Sequence, residues 1–216
     1  MVPSPRSTSH STSGSTSPRT TVPVPRRPMR VRQDLVRRWY EDELGWAAVS
    51  GPEGVRLRTG LRFDVLEVPA DAGFAMLRRL DPRSPVAVHG ETMQLLVAAG
   101  AADELPGLLD WLEWGALPLD LVAVGAGGFM AAPTPPGWSG TQEAAVWVRP
   151  PEPGREAEPV LPALTTLAAC PAGSVVGGGG GAPDLVRLVD TAATHCHRAR
   201  LRRARSGPTA QPLAFS

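Results

Sequence analysis

What most restricts the fold open to this chain is where its apolar residues stop. Residues 1–30 are built from Ser, Thr, Pro and Arg, with no acid and almost no apolar side chain. Such a segment cannot bury enough surface to offset the entropy of ordering it, and it reads as a disordered basic tail. A second interruption, residues 171–183, contains the five consecutive glycines Gly177 to Gly181 and reads as a flexible linker. Core formation is thereby confined to residues 31–170 and to a last helical segment, 184–205, which precedes a short tail, 206–216. With 42% apolar residues in the chain, that span suits a single domain of the usual roughly 100–200 residues.

The charge is as uneven as the hydrophobicity. A formal net charge of +1 hides six Arg and no acid in residues 1–33, and five further Arg in residues 198–205. The stretch between them holds the other 11 Arg and all 21 acids, an excess of ten negative charges. Lys, Ile and Asn are absent, which reflects codon usage in a GC-rich genome, so the choice of Arg over Lys carries no structural message. No apolar run approaches the roughly 20 residues of a membrane helix, and the N-terminus lacks the apolar segment of a secretory signal. Cys170 and Cys196 are too few for a disulfide framework and suit a reducing cytoplasm.

Periodicity divides the span into short elements. Leu35, Val36, Trp39, Tyr40 and Leu44 recur at helical spacing between Gln33 and Leu44, with Gly45 where a helix ends. Strands are expected at Trp46–Val49, Arg62–Val68, Val86–Val88, Met93–Val97 and Ala144–Val148. Asp71 can cap a helix that carries Phe74, Leu77 and Leu80 on one face, and Ala102–Trp114 forms another helix, with Pro106 near its first turn. Trp111 and Trp114 then fall on one core stripe. Leu119–Val124 and Phe129–Ala132 are expected to form a hairpin around Gly125-Ala126-Gly127-Gly128, a turn without the Lys-Ser/Thr ending of a phosphate-binding loop. In the last helix, opened by Asp184, Leu185, Leu188, Val189, Ala192, Cys196 and Ala199 share one face. The whole is α+β, with a tethered C-terminal helix.

Between about Leu44 and Pro150 the order of short blocks carries a further pattern. Gly45-Trp46 closes a helix and enters a strand; Arg58-Thr59-Gly60 leads into Phe63-Asp64-Val65-Leu66-Glu67-Val68; Asp120 runs through Gly127-Gly128-Phe129 to Ala132-Pro133. In this order the chain resembles the N-terminal domain family of bifunctional DNA primase/polymerases, the Prim-Pol relatives of archaeo-eukaryotic primases. The resemblance covers roughly half the chain and implies a primase/polymerase-like mixed sheet with flanking helices, acting on DNA and nucleotides. It also implies a metal-dependent nucleotidyl transfer, in which two acids on one strand hold Mg²⁺ or Mn²⁺ against the attacking and leaving oxygens.

This chain departs from the family pattern at both of its chemical landmarks. The usual acids are two residues apart, because a strand turns residues i and i+2 to one face. Here Glu67 falls on the first acid and Pro69, which cannot ligate a metal, on the second. Asp71, four residues from Glu67, shares its side if the chain stays extended past Pro69, so Glu67 and Asp71 are the remaining metal pair, with Asp71 as a mere helix cap the alternative. Asp64 points to the opposite face and can be only a supporting carboxylate. The position of the family's phosphate-facing His carries Met93 or Gln94, leaving His89, before the turn, to reach a phosphate. Arg58 would steady the triphosphate, or else guard an edge strand together with Arg56 and Arg62.

Arg198, Arg200, Arg202, Arg203 and Arg205 form the strongest electrostatic feature. They either contact nucleic acid through its phosphates or complement the negative end of the last helix. His195, Cys196 and His197 lack the paired spacing of a zinc site. The expected function is thus a primase/polymerase-like module whose nucleotidyl transfer is weak or lost. The rival is a non-catalytic adaptor on the same fold, contacting DNA or a protein partner.

Overall fold

In a computed structural model of the chain, residues 27–140, 144–164 and 185–206 are described. Most of the expected N-terminal tail, the glycine run and the C-terminal tail lie outside them. The architecture grows from one strand pair. β3 (Phe63–Pro69) runs antiparallel to β5 (Thr92–Ala98), in register from Phe63 opposite Ala98 to Pro69 opposite Thr92. Both strands are buried almost throughout. Their alternate residues therefore serve two different cores, as a near-continuous apolar strand must when both faces of a sheet are covered.

Leu66, Val68, Met93, Leu95 and Val97 face the first core, which is roofed by helices. These are α2 (Ala70–Met76), α3 (Ala101–Trp111) and α4 (Leu185–Ser206). The face expected of α4 is the face that packs: Leu185, Leu188, Val189, Ala192, Cys196 and Ala199 are all at most 4% exposed. Each fully buried Leu or Val contributes about 1.5–3 kcal/mol, so α4 is an integral roof element. Phe63, Val65, Ala87 and Leu96 face the second core. It is closed by a smaller sheet of β1 (Ala48–Gly51), β2 (Gly54–Arg58) and β7 (Phe129–Ala131), in the order β1-β2-β7.

The larger sheet is completed by β4 (Val86–His89), β6 (Val122–Val124) and β8 (Val146–Arg149), in the order β6-β3-β5-β4-β8. The α+β class is as expected, but among the described residues the strands form two sheets, antiparallel in every strand pair, rather than one mixed sheet; the one parallel pairing is an isolated bridge between Thr134 and Val146. The expected hairpin around Gly125–Gly128 is also corrected. β6 pairs with β3 and β7 pairs with β2, so this turn carries the chain from one sheet to the other. Thr59 anchors the crossing: its Oγ1 donates to the Gly125 carbonyl at 2.5 Å, and its N–H donates to the Gly128 carbonyl. Gly60 beside it has φ +82°, and a Cβ there would lie 2.2 Å from the Ala126 Cα.

Three helical expectations change in detail. α2 turns Ala72 and Met76 to the core and leaves Phe74 54% exposed. Its Gly73 packs so closely on β5 that a Cβ would meet the Met93 Cβ at 2.7 Å, and only a residue without a Cβ permits that approach. Pro106 lies in the middle of α3, past its first turn, and deprives the helix of one hydrogen bond. Trp111 is 72% exposed rather than part of a core stripe, whereas the Trp114 indole donates to Asp190 Oδ1 at 3.0 Å.

α1 (Arg27–Arg38) runs into a π-helical turn, Trp39–Glu43, and ends at Gly45 with φ +65°. The Trp46 N–H then reaches back to the Tyr40 carbonyl at 2.9 Å, closing the helix. This delivers Tyr40 into the second core, stacked on Trp46, which packs in turn on Phe63 and Trp147. The buried hydroxyl of Tyr40 donates to the Pro133 carbonyl at 2.6 Å and accepts from Trp147 Nε1 at 3.0 Å. Among the described residues no helix is long and apolar enough to cross a membrane.

Tyr40→Phe removes both bonds and leaves the Trp147 N–H and the Pro133 carbonyl without that partner. The expected loss is about 1–3 kcal/mol in urea unfolding, with the m-value unchanged. Unaltered stability would show that the hydroxyl bridge does not tie α1 to the sheets.

Candidate functional site

β3 carries an acid to each of its faces. Asp64, 1% exposed, points under the start of α3, where its Oδ2 accepts the Ala102 N–H at 2.9 Å. That helix begins at Gly100 with no capping side chain of its own. Asp64 thus performs the work of an N-cap from a neighbouring strand and faces the positive end of the helix dipole. Glu67 points the other way, and its Oε1 accepts from Nε2 of Gln94, its cross-strand partner, at 2.8 Å. Gln94 is itself 3% exposed, and its Oε1 has no partner among the described residues.

Beyond Pro69 the chain does not stay extended. It turns at once into α2, with Pro69 in the N-cap position and no side-chain cap. Asp71 is therefore inside the helix rather than capping it. Its Oδ1 accepts the Ala72 N–H at 2.9 Å, and its Oδ2 faces Arg202 Nη2 at 3.8 Å. The turn nevertheless brings Asp71 and Glu67 to one cleft of about 770 Å³, also lined by Glu91, Asp120 and Arg203. Arg203 Nη2 lies 3.1 Å from Asp120 Oδ2, and Arg200 Nη1 lies 3.8 Å from Asp120 Oδ1. A divalent ion needs several oxygens converging at close to 2 Å. Among the described residues no group of three or more His, Cys, Asp or Glu side chains is placed to hold one. Glu67 and Asp71, the pair expected to hold Mg²⁺ or Mn²⁺, both line the cleft.

The expected nucleotide contacts lie elsewhere. His89 is exposed at the end of β4 and lines a separate groove of about 490 Å³ with Arg32, Arg56 and Glu53. Arg56 and Arg58 share the exposed face of β2, as their spacing predicts, and Arg56 lies 4.8 Å over the Phe129 ring. Arg58 lines neither this groove nor the cleft, and Arg62 pairs with Glu158.

The arginines of α4 divide by helical phase. Arg200 and Arg203 turn towards Asp120. Arg198, Arg202 and Arg205 instead line a third groove, of about 510 Å³, with His195, Leu201 and Ala75 of α2. Burial, and then the charges of Arg198, Arg202 and Arg79, hold His195 below its ordinary range. Cys196 faces inward. Its thiol is pushed up to about 12, first by burial and then by Asp120 and Asp71, so it is a packing group rather than a nucleophile. The His197 ring leans on Trp114, with centroids 6.1 Å apart, which separates it from His195. Glu91 and Arg79 carry no sequence signal of a site, and Gln94 enters the sequence reading only as a departure from the family's phosphate-facing His. Asp120 carried a signal only as the first residue of a quoted block.

Removing a buried cap should cost more than removing an exposed acid. Asp64→Ala is expected to lower stability by about 1–2 kcal/mol, and Asp71→Ala by about 0.5 kcal/mol or less, both read from chemical denaturation. Equal losses would contradict the structural assignment of Asp64.

Comparison with family models, with curated proteins and with solved structures finds no match to this chain.

Proposed function

We propose that this chain is a primase/polymerase-like module that associates with DNA and has lost nucleotidyl transfer. The observation supporting the loss is that both acids of the expected metal pair are engaged by the fold, Glu67 by Gln94 and Asp71 by Ala72 and Arg202, while the supporting carboxylate Asp64 accepts from Ala102 through one oxygen. In-line transfer with two metals requires carboxylates that clamp both ions about 3.5–4 Å apart, and Pro69 stands where the second acid of the resembling family belongs. His89 and Arg58 are likewise away from the cleft that Glu67 and Asp71 share. The block order from Leu44 to Pro150 supports the primase/polymerase-like assignment, and the arginine-rich ends supply attraction to phosphates that the acidic middle of the chain lacks. A reducing, cytoplasmic setting accords with Cys196 as a buried free thiol.

A second reading is residual metal-dependent synthesis, favoured by the presence of Glu67 and Asp71 in one cleft beside Arg203. The two separate in a primer-synthesis assay on single-stranded template, with ribo- and deoxynucleotides and either Mg²⁺ or Mn²⁺. The expected outcome is no incorporation by the full chain above a no-enzyme control. Incorporation that disappears in Glu67→Ala would establish the second reading and overturn the first.

A further inference from the structure

We infer that one stripe of α4, formed by His195, Arg198, Arg202 and Arg205, is the surface that grips a phosphodiester backbone; this rests on the DNA association proposed above. The four residues are three, four and three apart, so they stand on one face of the helix and span about 15 Å. That length matches about four steps of axial rise along one strand of a duplex, at about 3.4 Å each. All four line the same groove, whose remaining walls are the apolar Ala75 and Leu201, and among the described residues no carboxylate lines it. Arg79, in the turn after α2, adds its charge near His195.

The neighbouring stripe shows what a neutralised arginine looks like in this fold. Arg200 and Arg203 both face Asp120 and close the edge of the acidic cleft. In the groove Arg202 faces Asp71 at 3.8 Å, and among the described residues Arg198 and Arg205 have no carboxylate at ion-pair distance. The excess of acids over residues 34–197 repels a polyanion, so approach is steered to the basic ends of the chain, of which this edge is one. An extended row of guanidinium groups on a helix suits a chain of phosphates better than a single phosphate, which a compact cradle of donors would hold.

His195 gives the contact a dependence on pH. The groups facing it are Arg198 and Arg202 on its own helix and Arg79 from the turn after α2, with Asp71 of α2 acting through Arg202. These cations and its burial keep it neutral near pH 7, whereas a bound phosphate favours the imidazolium. Binding then takes up a proton, and affinity rises as pH falls towards the titration of the unbound groove.

The test uses the full chain and fluorescence anisotropy with a short duplex oligonucleotide over a salt series. Arg198→Ala combined with Arg205→Ala should weaken binding roughly tenfold or more at about 0.1 M salt and reduce the slope of log K against log salt by about two. Arg200→Ala combined with Arg203→Ala should leave that slope within about half a unit of the parent. His195→Gln should abolish the tightening at lower pH while preserving the salt slope. Parent-like affinity and slope in the Arg198/Arg205 variant would overturn the groove assignment, as would inorganic phosphate displacing the oligonucleotide at far lower ionic strength than chloride. If the parent chain shows no salt-dependent binding at any pH, DNA association itself fails, which is a different result.

Discussion

Burial of β3 on both faces is the constraint to which the remaining structure answers. A strand at the centre of the fold with Asp64 turned to one core and Glu67 turned to the other must supply each carboxylate with a partner, because an unpartnered charge in such a place is costly. The partners found are the first turn of α3 and the amide of Gln94. One ties the helical roof to the sheet. The other ties neighbouring strands at the margin of the cleft. Acids at these positions are therefore structural before they are chemical, and any metal would have to compete with the hydrogen bonds that place them.

The two cores differ in how they are built. The helical side is aliphatic and small-residue rich, with Ala72, Gly73, Ala192 and Ala199 allowing α2 and α4 to lie close to the sheet and to one another. The other side is aromatic, a cluster of Tyr40, Trp46, Phe63 and Trp147 drawn from four separate parts of the chain. Long-range packing of this kind fixes the smaller sheet and α1 against the larger sheet, and the hydroxyl of Tyr40 supplies the polar link within it.

Much of the secondary structure was legible because β3 and β5 are short, near-continuous apolar runs and α4 has a clean helical period. The apolar face of α4 was readable to the residue, since six of its side chains recur with a single phase. Pairing was less legible. Gly125-Ala126-Gly127-Gly128 has the chemistry of a hairpin tip, and local turn propensity carries no information about which sheet each flanking strand will join. Phe74 misled for a related reason: helical spacing identifies a stripe, but in α2 the small face of Ala72 and Gly73 packs inward, and Trp111, at the end of α3, is likewise left exposed despite its spacing. At the candidate site, alternation placed Asp64 and Glu67 on opposite faces, as observed. The convergence of Asp71, Glu91, Asp120 and Arg203 on one cleft depends on α4 folding back over residues far away in sequence, which no local pattern encodes. The same dependence splits the arginine cluster, whose five members look equivalent until Asp120 is placed beside two of them.

The passage at Gly125–Gly128 also bears on how the protein tolerates change. By sequence it resembles an exposed loop tip, the usual place to splice in a tag or reporter. In the fold it is the seam between the two layers, stitched by Thr59 and pressed against Gly60 at a spacing set by the absence of a methyl group. Added length there would part the sheets rather than decorate the surface. The exposed turn at Gly90, where a Cβ meets no neighbour within 4 Å, joins two strands of one sheet and is the more forgiving point of entry.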